Sequence, residues 1–192
     1  MAVAAGLTPE TAAGALRTFA STYEQNPGRL NVYDGHGFRV VMDYAHNPDG
    51  LRALGGLIRA IKPEGGRSIA MLSVPGDRRD DEILAMGEIG AVFFDDLVFR
   101  ETPDNRGRSP GEVIRLMTEG ALAANAEPGR IRGVRREEDA VQASLDLARP
   151  GDLVVLTPTR VDAVWRQVLD YRPPRQVAPE PRFEPIVDPP HG

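Results

Sequence analysis

The chain has no cysteine, one lysine and one tryptophan in 192 residues. Without cysteine there are no disulfides, no thiolate metal sites and no cysteine nucleophile, and a reducing compartment is permitted. Of 23 basic residues one is Lys62, which leaves 23 − 1 = 22 arginines, so a mechanism needing a catalytic lysine has a single candidate. Lys62 precedes Pro63 at an expected helix end, where a cation beside the last carbonyls is ordinary. A Gly-x-x-x-x-Gly-Lys-Ser/Thr phosphate loop is absent, and the lone lysine rules out a second place for one. The histidines are His36, His46 and His191, too few for a multi-histidine zinc site, and no His-Glu-x-x-His occurs. Gly66 to Ala70 departs from a nucleophile elbow at its last position and leads into a strand rather than out of one. The longest apolar stretches are five or six residues, as in Ile69 to Val74, far short of a bilayer span, and the opening MAVAAGL lacks the charged start of a signal peptide. The cytoplasm is therefore the expected compartment.

What is present is a 41% apolar composition with a net charge of 23 − 28 = −5 and a pI near 5.3. That suits one domain, or one with appendages, and an acidic balance argues against a broad nucleic-acid face. Thr8, Pro9 and Glu10 read as a cap and first turn, predicting a helix over 9–20. After a break at Gln25 to Arg29, residues 30–34 and 38–44 read as a hairpin around Gly35-His36-Gly37. Apolar runs at 39–44, 68–74, 96–101, 130–134 and 152–157 then alternate with helical patterns at 48–62, 79–91, 110–126, 136–149 and 160–170. Strands apolar on both faces, separated by amphipathic helices, predict an α/β, Rossmann-like, doubly wound and mostly parallel sheet with an N-terminal hairpin. From Arg172 on, seven prolines in twenty-one residues predict an extended, largely unfolded tail. Trp165, at apolar spacing with Val161, Val164 and Val168, reads as core.

Ligands of open parallel sheets bind outside the carboxyl ends of the strands, and four such junctions here are unusual. The first runs from Met42 to Gly50: Asn47 and Pro48 read as N-cap and first helical residue, placing Asp43 and His46 beside a helix N-terminus. Free amides there favour a phosphate and a carboxylate suits ribose hydroxyls, or Asp43 merely offsets the dipole while His46 bonds the loop. The second, Val74 to Asp81, joins Gly76 to Arg78 and Arg79. The acids that follow suit a helix start, whereas the arginines sit at the unfavourable end of its dipole and offer forks for carboxylate or phosphate. The third, Glu101 to Glu112, holds Arg106 and Arg108 before a capping box of Ser109 and Glu112. The fourth, Thr157-Pro158-Thr159-Arg160, has hydroxyls without an activated nucleophile and reads as structural.

In this order, GRLNVYDGHGFRVVMDYAHNPDGLRAL, VPGDRRDDE, DNRGRSPGE and GDLVVLTPTRVDAVW resemble the C-terminal, glutamate-ligase domain of the Mur ligase family, nearest to its cyanophycin synthetase branch. The resemblance covers residues 1–171, since Gly14 to Phe19 looks like the tail of the family's central domain. It implies a remnant helix and linker at 1–26, the C-terminal domain at 27–171 and the tail at 172–192. Members of the family use ATP with Mg²⁺ to activate a carboxylate as an acyl phosphate, which an amine then attacks. By resemblance, Arg29 in the hinge approaches the nucleotide and Asp43 holds the ribose, with Tyr44, His46 and Asn47 completing that edge. Asp77, Arg78, Arg79, Asp104, Arg106 and Arg108 would face the incoming amino acid or peptide acceptor. No catalytic residue and no metal ligand are assigned to this chain. The phosphate loop and the lysine- and magnesium-bearing central domain would precede residue 1, so the chain alone is expected to be inactive. A separate central-domain polypeptide, or self-association through Leu7, Leu16 and Phe19, is the expected partnership, without nucleic acid or membrane. Thr157 to Arg160 departs from the acidic and basic pair that cyanophycin-type sequences carry there. Two other readings stay open: a non-catalytic nucleotide- or amino-acid-binding module, and a piece of a peptidoglycan- or folate-type glutamate ligase.

Overall fold

Val40, Val41 and Met42 follow one another with no polar residue between them, and successive strand residues face opposite sides. Such a strand is stable only if both faces are covered, and the computed structural model shows this arrangement. It describes residues 22–173, with Thr8 and Thr11 before them. The elements are β1 (Asn31–Tyr33), β2 (Arg39–Met42), α1 (Pro48–Ile61), β3 (Ser68–Leu72), α2 (Asp80–Phe93), β4 (Asp96–Phe99) and α3 (Glu112–Ala123). They continue with a 3₁₀ turn at Pro128–Arg130, β5 (Ile131–Gly133), α4 (Glu137–Leu147), β6 (Leu153–Leu156) and α5 (Val161–Asp170).

The strand order is β1-β2-β6-β3-β4-β5, with β1 antiparallel to β2 and every other pairing parallel. The doubly wound α/β class and the N-terminal hairpin are as expected. Val41, Ala70, Leu72, Leu97, Phe99, Leu153 and Val155 face one side, under Leu51, Ile58, Ile83, Met86, Val113 and Met117 of α1, α2 and α3. Val40, Met42, Ile69, Met71, Val98, Val154 and Leu156 face the other, under Val141, Leu145, Val164, Trp165 and Val168 of α4 and α5. Trp165 is a core residue, stacked on Tyr23 at 4.9 Å between ring centroids.

The strands stop short of the ends expected from the apolar runs. The chain leaves the sheet after Met42, Leu72, Phe99, Gly133 and Leu156, although the ladder persists one amide further. The N–H groups of Asp43, Arg100, Val134 and Thr157 donate to Leu156, Leu72, Phe99 and Met71. The start of α3 also differs. Glu112 accepts from the Ser109 N–H at 3.0 Å, but the helix begins at Glu112 rather than Pro110, with Gly111 at φ 88° as N-cap. The carboxylate of Glu101 takes the Gly111 N–H and so caps the helix in place of the Ser109 hydroxyl. Thr8 accepts from the Thr11 N–H at 3.2 Å, the capping contact expected of it. The rest of that expected helix, and the tail from Pro174 on, lie outside the described residues.

Helices α2 and α3 meet backbone to backbone. A Cβ at Gly87 would stand 1.9 Å from the Met117 carbonyl oxygen, and one at Gly120 2.0 Å from that of Leu84. An alanine gains about 1 kcal/mol of helix propensity over glycine, but the clash must push two helices apart. Gly87→Ala should therefore lower stability by about 1–3 kcal/mol, as overpacking does, read from urea unfolding.

At the amino ends of the strands, Arg67 bonds Asp96 at 3.0 Å, Asp152 at 2.7 Å and the Leu147 carbonyl at 2.9 Å. Burial pushes the Asp152 carboxyl up, but the amides of Arg67 and Arg149 and the Arg67 guanidinium together bring it below its usual value. Lys62 closes α1 with its own N–H on Ile58, while its ammonium pairs with Asp95 at 2.8 Å instead of with the helix carbonyls. Burial likewise pushes Asp95 up, and the bonds from Lys62 and Ser68 outweigh it, so its pKa is lowered. A carboxyl depressed in the folded chain stabilises above its unfolded pKa, about 3.9, and loses that contribution as pH falls through the folded value. Unfolding free energy should thus decline from about pH 5 downward, and Asp152→Asn should show a shallower decline in urea titrations run at each pH.

Candidate functional site

The carboxyl ends of β2, β3, β4 and β6 surround a cavity of about 250 Å³, lined by Tyr44, His46, Asp104, Arg106, Thr157 and Thr159 among others. A wider cleft of about 1270 Å³ opens between the loops after β4 and β5 and reaches Arg160. Thr102, Pro103 and Asp104 line both, so one loop divides two concavities.

One side of the cavity comes from Tyr44 to His46 at the β2 end, and the segment before β1 packs beside them. Asn47 caps α1 by accepting from the Gly50 N–H at 2.8 Å, with Pro48 at the first helical position. His46 Nδ1 lies 2.9 Å from the Tyr44 carbonyl, which leaves Nε2 without a bond among the described residues. The Arg29 guanidinium lies over the Tyr44 ring, 5.3 Å from its centroid, a cation–π arrangement. Asp43 Oδ2 accepts from the Leu30 N–H at 3.2 Å, and Oδ1 has no protein donor among the described residues. Leu30 itself is at φ 51°, so the carboxylate steadies an uncommon backbone conformation. Of the expected nucleotide edge, Arg29, Asp43, Tyr44 and His46 are gathered together, whereas the Asn47 amide oxygen is occupied by its helix.

The expected acceptor residues divide. Asp77 and Arg106 form an exposed pair at 2.5 Å, which lowers the Asp77 pKa and raises that of Arg106. Asp104 accepts from the Arg106 N–H at 2.8 Å, holding Arg106 at φ 47°. Arg79 pairs with Asp81 at 2.9 Å in solvent. The Arg78 side chain has no hydrogen-bond partner among the described residues. Arg108 is committed throughout: it donates to the carbonyls of Gly76 and Arg78, each at 2.6 Å, to Asp80 at 2.7 Å and to Glu112 at 2.8 Å. The same two loops touch where a Cβ on Gly76 would lie 2.1 Å from the Asn105 carbonyl oxygen. Arg108 thus braces the β3–α2 loop against the β4–α3 loop.

Beneath these loops lies a buried charged frame that no motif had marked. Arg100 is fully buried, and burial pulls its pKa down to about 10 against the support of Glu137, so it is a cation at neutral pH. It pairs with Glu137 at 2.8 Å. Its neighbour Glu101, also buried, caps α3 and meets Arg135 at 3.3 Å. The only sequence sign was an Arg-Glu dipeptide closing the apolar strand DLVF.

Residues 28–160 match the family described as Mur ligase, glutamate ligase domain. The chain belongs to that family. This Mur ligase domain is 38% identical over 157 residues to the cyanophycin synthetase of Synechocystis sp., an overlap of 81% of this chain and 17% of that one. It is 35% identical over 146 residues to the cyanophycin synthetase of Crocosphaera subtropica, covering 76% and 16%. With the UDP-N-acetylmuramoyl-L-alanyl-D-glutamate–2,6-diaminopimelate ligase of Streptomyces coelicolor it shares 34% over 157 residues, covering 80% and 29%. The chain therefore spans about a sixth of the cyanophycin synthetases it matches. Among solved structures, MurF from Acinetobacter baumannii superposes with a TM-score of 0.64 at 18% identity, over 88% of this chain and 35% of that one. The folylpolyglutamate synthase of Mycobacterium tuberculosis, complexed with ADP and AMPPCP, gives 0.59 at 18% identity, over 88% and 36%.

The groups gathered at the β2 end combine an acceptor, an aromatic ring and a cation. Asp43 keeps an oxygen for hydroxyls, Tyr44 is a half-exposed ring and Arg29 a cation beside it. Lys62 sits at the far end of the strands on Asp95.

Removing the Arg108 brace should cost about 1 kcal/mol, because its partners are exposed or only partly buried and water can replace some of the bonds. Arg108→Ala is expected to lower the thermal midpoint, and Arg108→Lys, which lacks the planar fork, to recover little of it.

Proposed function

We propose that this chain is the nucleotide- and acceptor-contacting C-terminal domain of an ATP-dependent amide-bond ligase of the cyanophycin synthetase type, inactive without a phosphate-loop domain. In this reading residues 27–171 form the working unit and residues 1–26 connect it to the catalytic partner. The observation that carries it is the grouping of Tyr44 and His46 with Asp104 and Arg106 around one cavity, with Arg29 over the Tyr44 ring and Asp43 bonded to Leu30 behind them. Likeness to cyanophycin synthetases over most of the chain supports the acceptor class.

ATP with Mg²⁺ supplies the phosphoryl group that activates a carboxylate, and the metal and phosphates fall to the partner domain. This chain's residues bind and orient. The free oxygen of Asp43 accepts from the ribose hydroxyls, Tyr44 and His46 flank them, and Asn47 fixes the loop by capping α1. Arg29 brings positive charge toward the nucleotide from the segment that links the domains. Arg78 and Arg79 offer forks to an acidic acceptor, and the Asp77–Arg106 pair with Asp104 presents both signs of charge at the cavity mouth. Arg108 acts through the loops it braces. A domain that closes over these groups excludes water from the activated carboxylate, which otherwise hydrolyses.

The test is complementation. The chain is mixed with a central domain taken from a cyanophycin synthetase, and ADP release is followed with Asp, Arg or Glu as acceptor. Turnover that needs both polypeptides is expected, and the product names the acceptor. Nucleotide binding by the chain without turnover under any pairing would favour the binding module. Asp43→Ala should weaken ADP binding to the assembled two-polypeptide enzyme by about 1–3 kcal/mol in calorimetry, and unchanged binding would remove Asp43 from the site.

A further inference from the structure

The most deeply buried ion pair among the described residues is one the proposed chemistry does not touch. The side chains of Arg100 and Glu137 are 0% and 2% exposed and lie 2.8 Å apart. Arg100 comes from the end of β4 and Glu137 from the first turn of α4, yet most of their bonds go to a third element, the loop from β6 to α5. Arg100 donates to the Thr157 carbonyl at 2.7 Å and the Thr159 hydroxyl at 3.1 Å. Glu137 accepts from the amides of Thr159 and Arg160 at 2.6 and 3.2 Å, and from Arg160 Nε at 3.2 Å. Arg160, the N-cap of α5, makes no side-chain cap of its own, so the Glu137 carboxylate serves that end of the helix. Thr157 and Thr159 in turn line the 250 Å³ cavity, and Arg160 the wider cleft.

Taking two charges out of water is expensive, and apolar side chains of similar volume often fill such a space at equal or lower cost. Here even the pairing is incomplete, because Arg100 Nε is buried without a partner. An apolar pair could not, however, select one hydrogen-bonded arrangement of Thr157 to Arg160. We infer that Arg100 and Glu137 are positioning residues of the proposed site, a buried ion pair that holds the β6–α5 loop, and through it the β6 wall of the cavity, in its ligand-ready form. The inference rests on the nucleotide reading for its ligand, but not for its account of the loop.

The experiment uses the full chain, the double variant Arg100→Met with Glu137→Leu, and the single variant Arg100→Lys. Removing both charges leaves neither one buried alone, which keeps the double variant folded, and a thermal melt checks this. Two quantities are read: hydrogen exchange of the Thr159 and Arg160 amides against those of Leu153 to Leu156, and the dissociation constant for ADP. The double variant is expected to exchange the two loop amides about tenfold faster or more, with the strand amides unchanged, and to bind ADP about tenfold more weakly. Arg100→Lys, which keeps a cation for Glu137 but lacks the fork that also reaches Thr157 and Thr159, should restore part of both. Unchanged loop exchange in the folded double variant would overturn the inference, as would faster loop exchange with an unaltered ADP constant. If the parent chain binds no ADP, the nucleotide reading fails by itself, and loop exchange still decides whether the pair holds the loop.

Discussion

The last strand among the described residues, β6, lies between β2 and β3, paired in parallel to both. The sheet has no continuous centre until residues 153–156 arrive, more than a hundred residues after β2. Parallel ladders cannot be closed by a local turn, so every layer of the domain waits on one long-range insertion. Buried charge brackets that strand at both ends. Arg67 with Asp152 and Asp96 holds its start, and Arg100 with Glu137 holds its exit. Apolar burial explains why Leu153 to Leu156 go inside. The two charged clusters add directional bonds at the points where the strand must enter and leave.

The same division of labour runs through the loops at the carboxyl ends. Many of the charged groups there bind protein: Arg108 braces two loops, Glu101 caps α3, and Glu137 serves α5. What stays open among the described residues is a smaller set, comprising one oxygen of Asp43, Nε2 of His46 and the Arg78 guanidinium. Preorganised sites are built this way, with committed groups fixing a few uncommitted ones. Asp43 stands in both sets, since one oxygen steadies Leu30 at φ 51° while the other has no protein donor among the described residues.

Much of this was legible in the residues. The alternation of apolar runs with amphipathic helices predicted the doubly wound sheet, because periodicity reports burial directly. Asn47-Pro48 announced the start of α1, and the cap is there. Less legible were the exits from the strands, since Ser73, Val74, Glu101 and Thr157 are buried as strand residues are, yet lie outside the sheet. Ser109 and Glu112 matched a capping box, but Glu101, eleven residues before Glu112, supplied the cap. A local pattern cannot register a competitor that folding brings from elsewhere.

By itself, then, the sequence determined the class of fold, the order of its elements and the strand ends where polar groups collect, all consequences of local periodicity and helix-end chemistry. It also marked Arg106 and Arg108 as equals, two residues apart in one loop. Only the tertiary structure separated them, placing Arg108 between two loops and Arg106 at the mouth of the cavity. It alone joined Arg100 to Glu137 across 37 positions. Whether a charged side chain serves the fold or a ligand depends on which partners reach it in three dimensions, and that is set by the packing of the whole sheet.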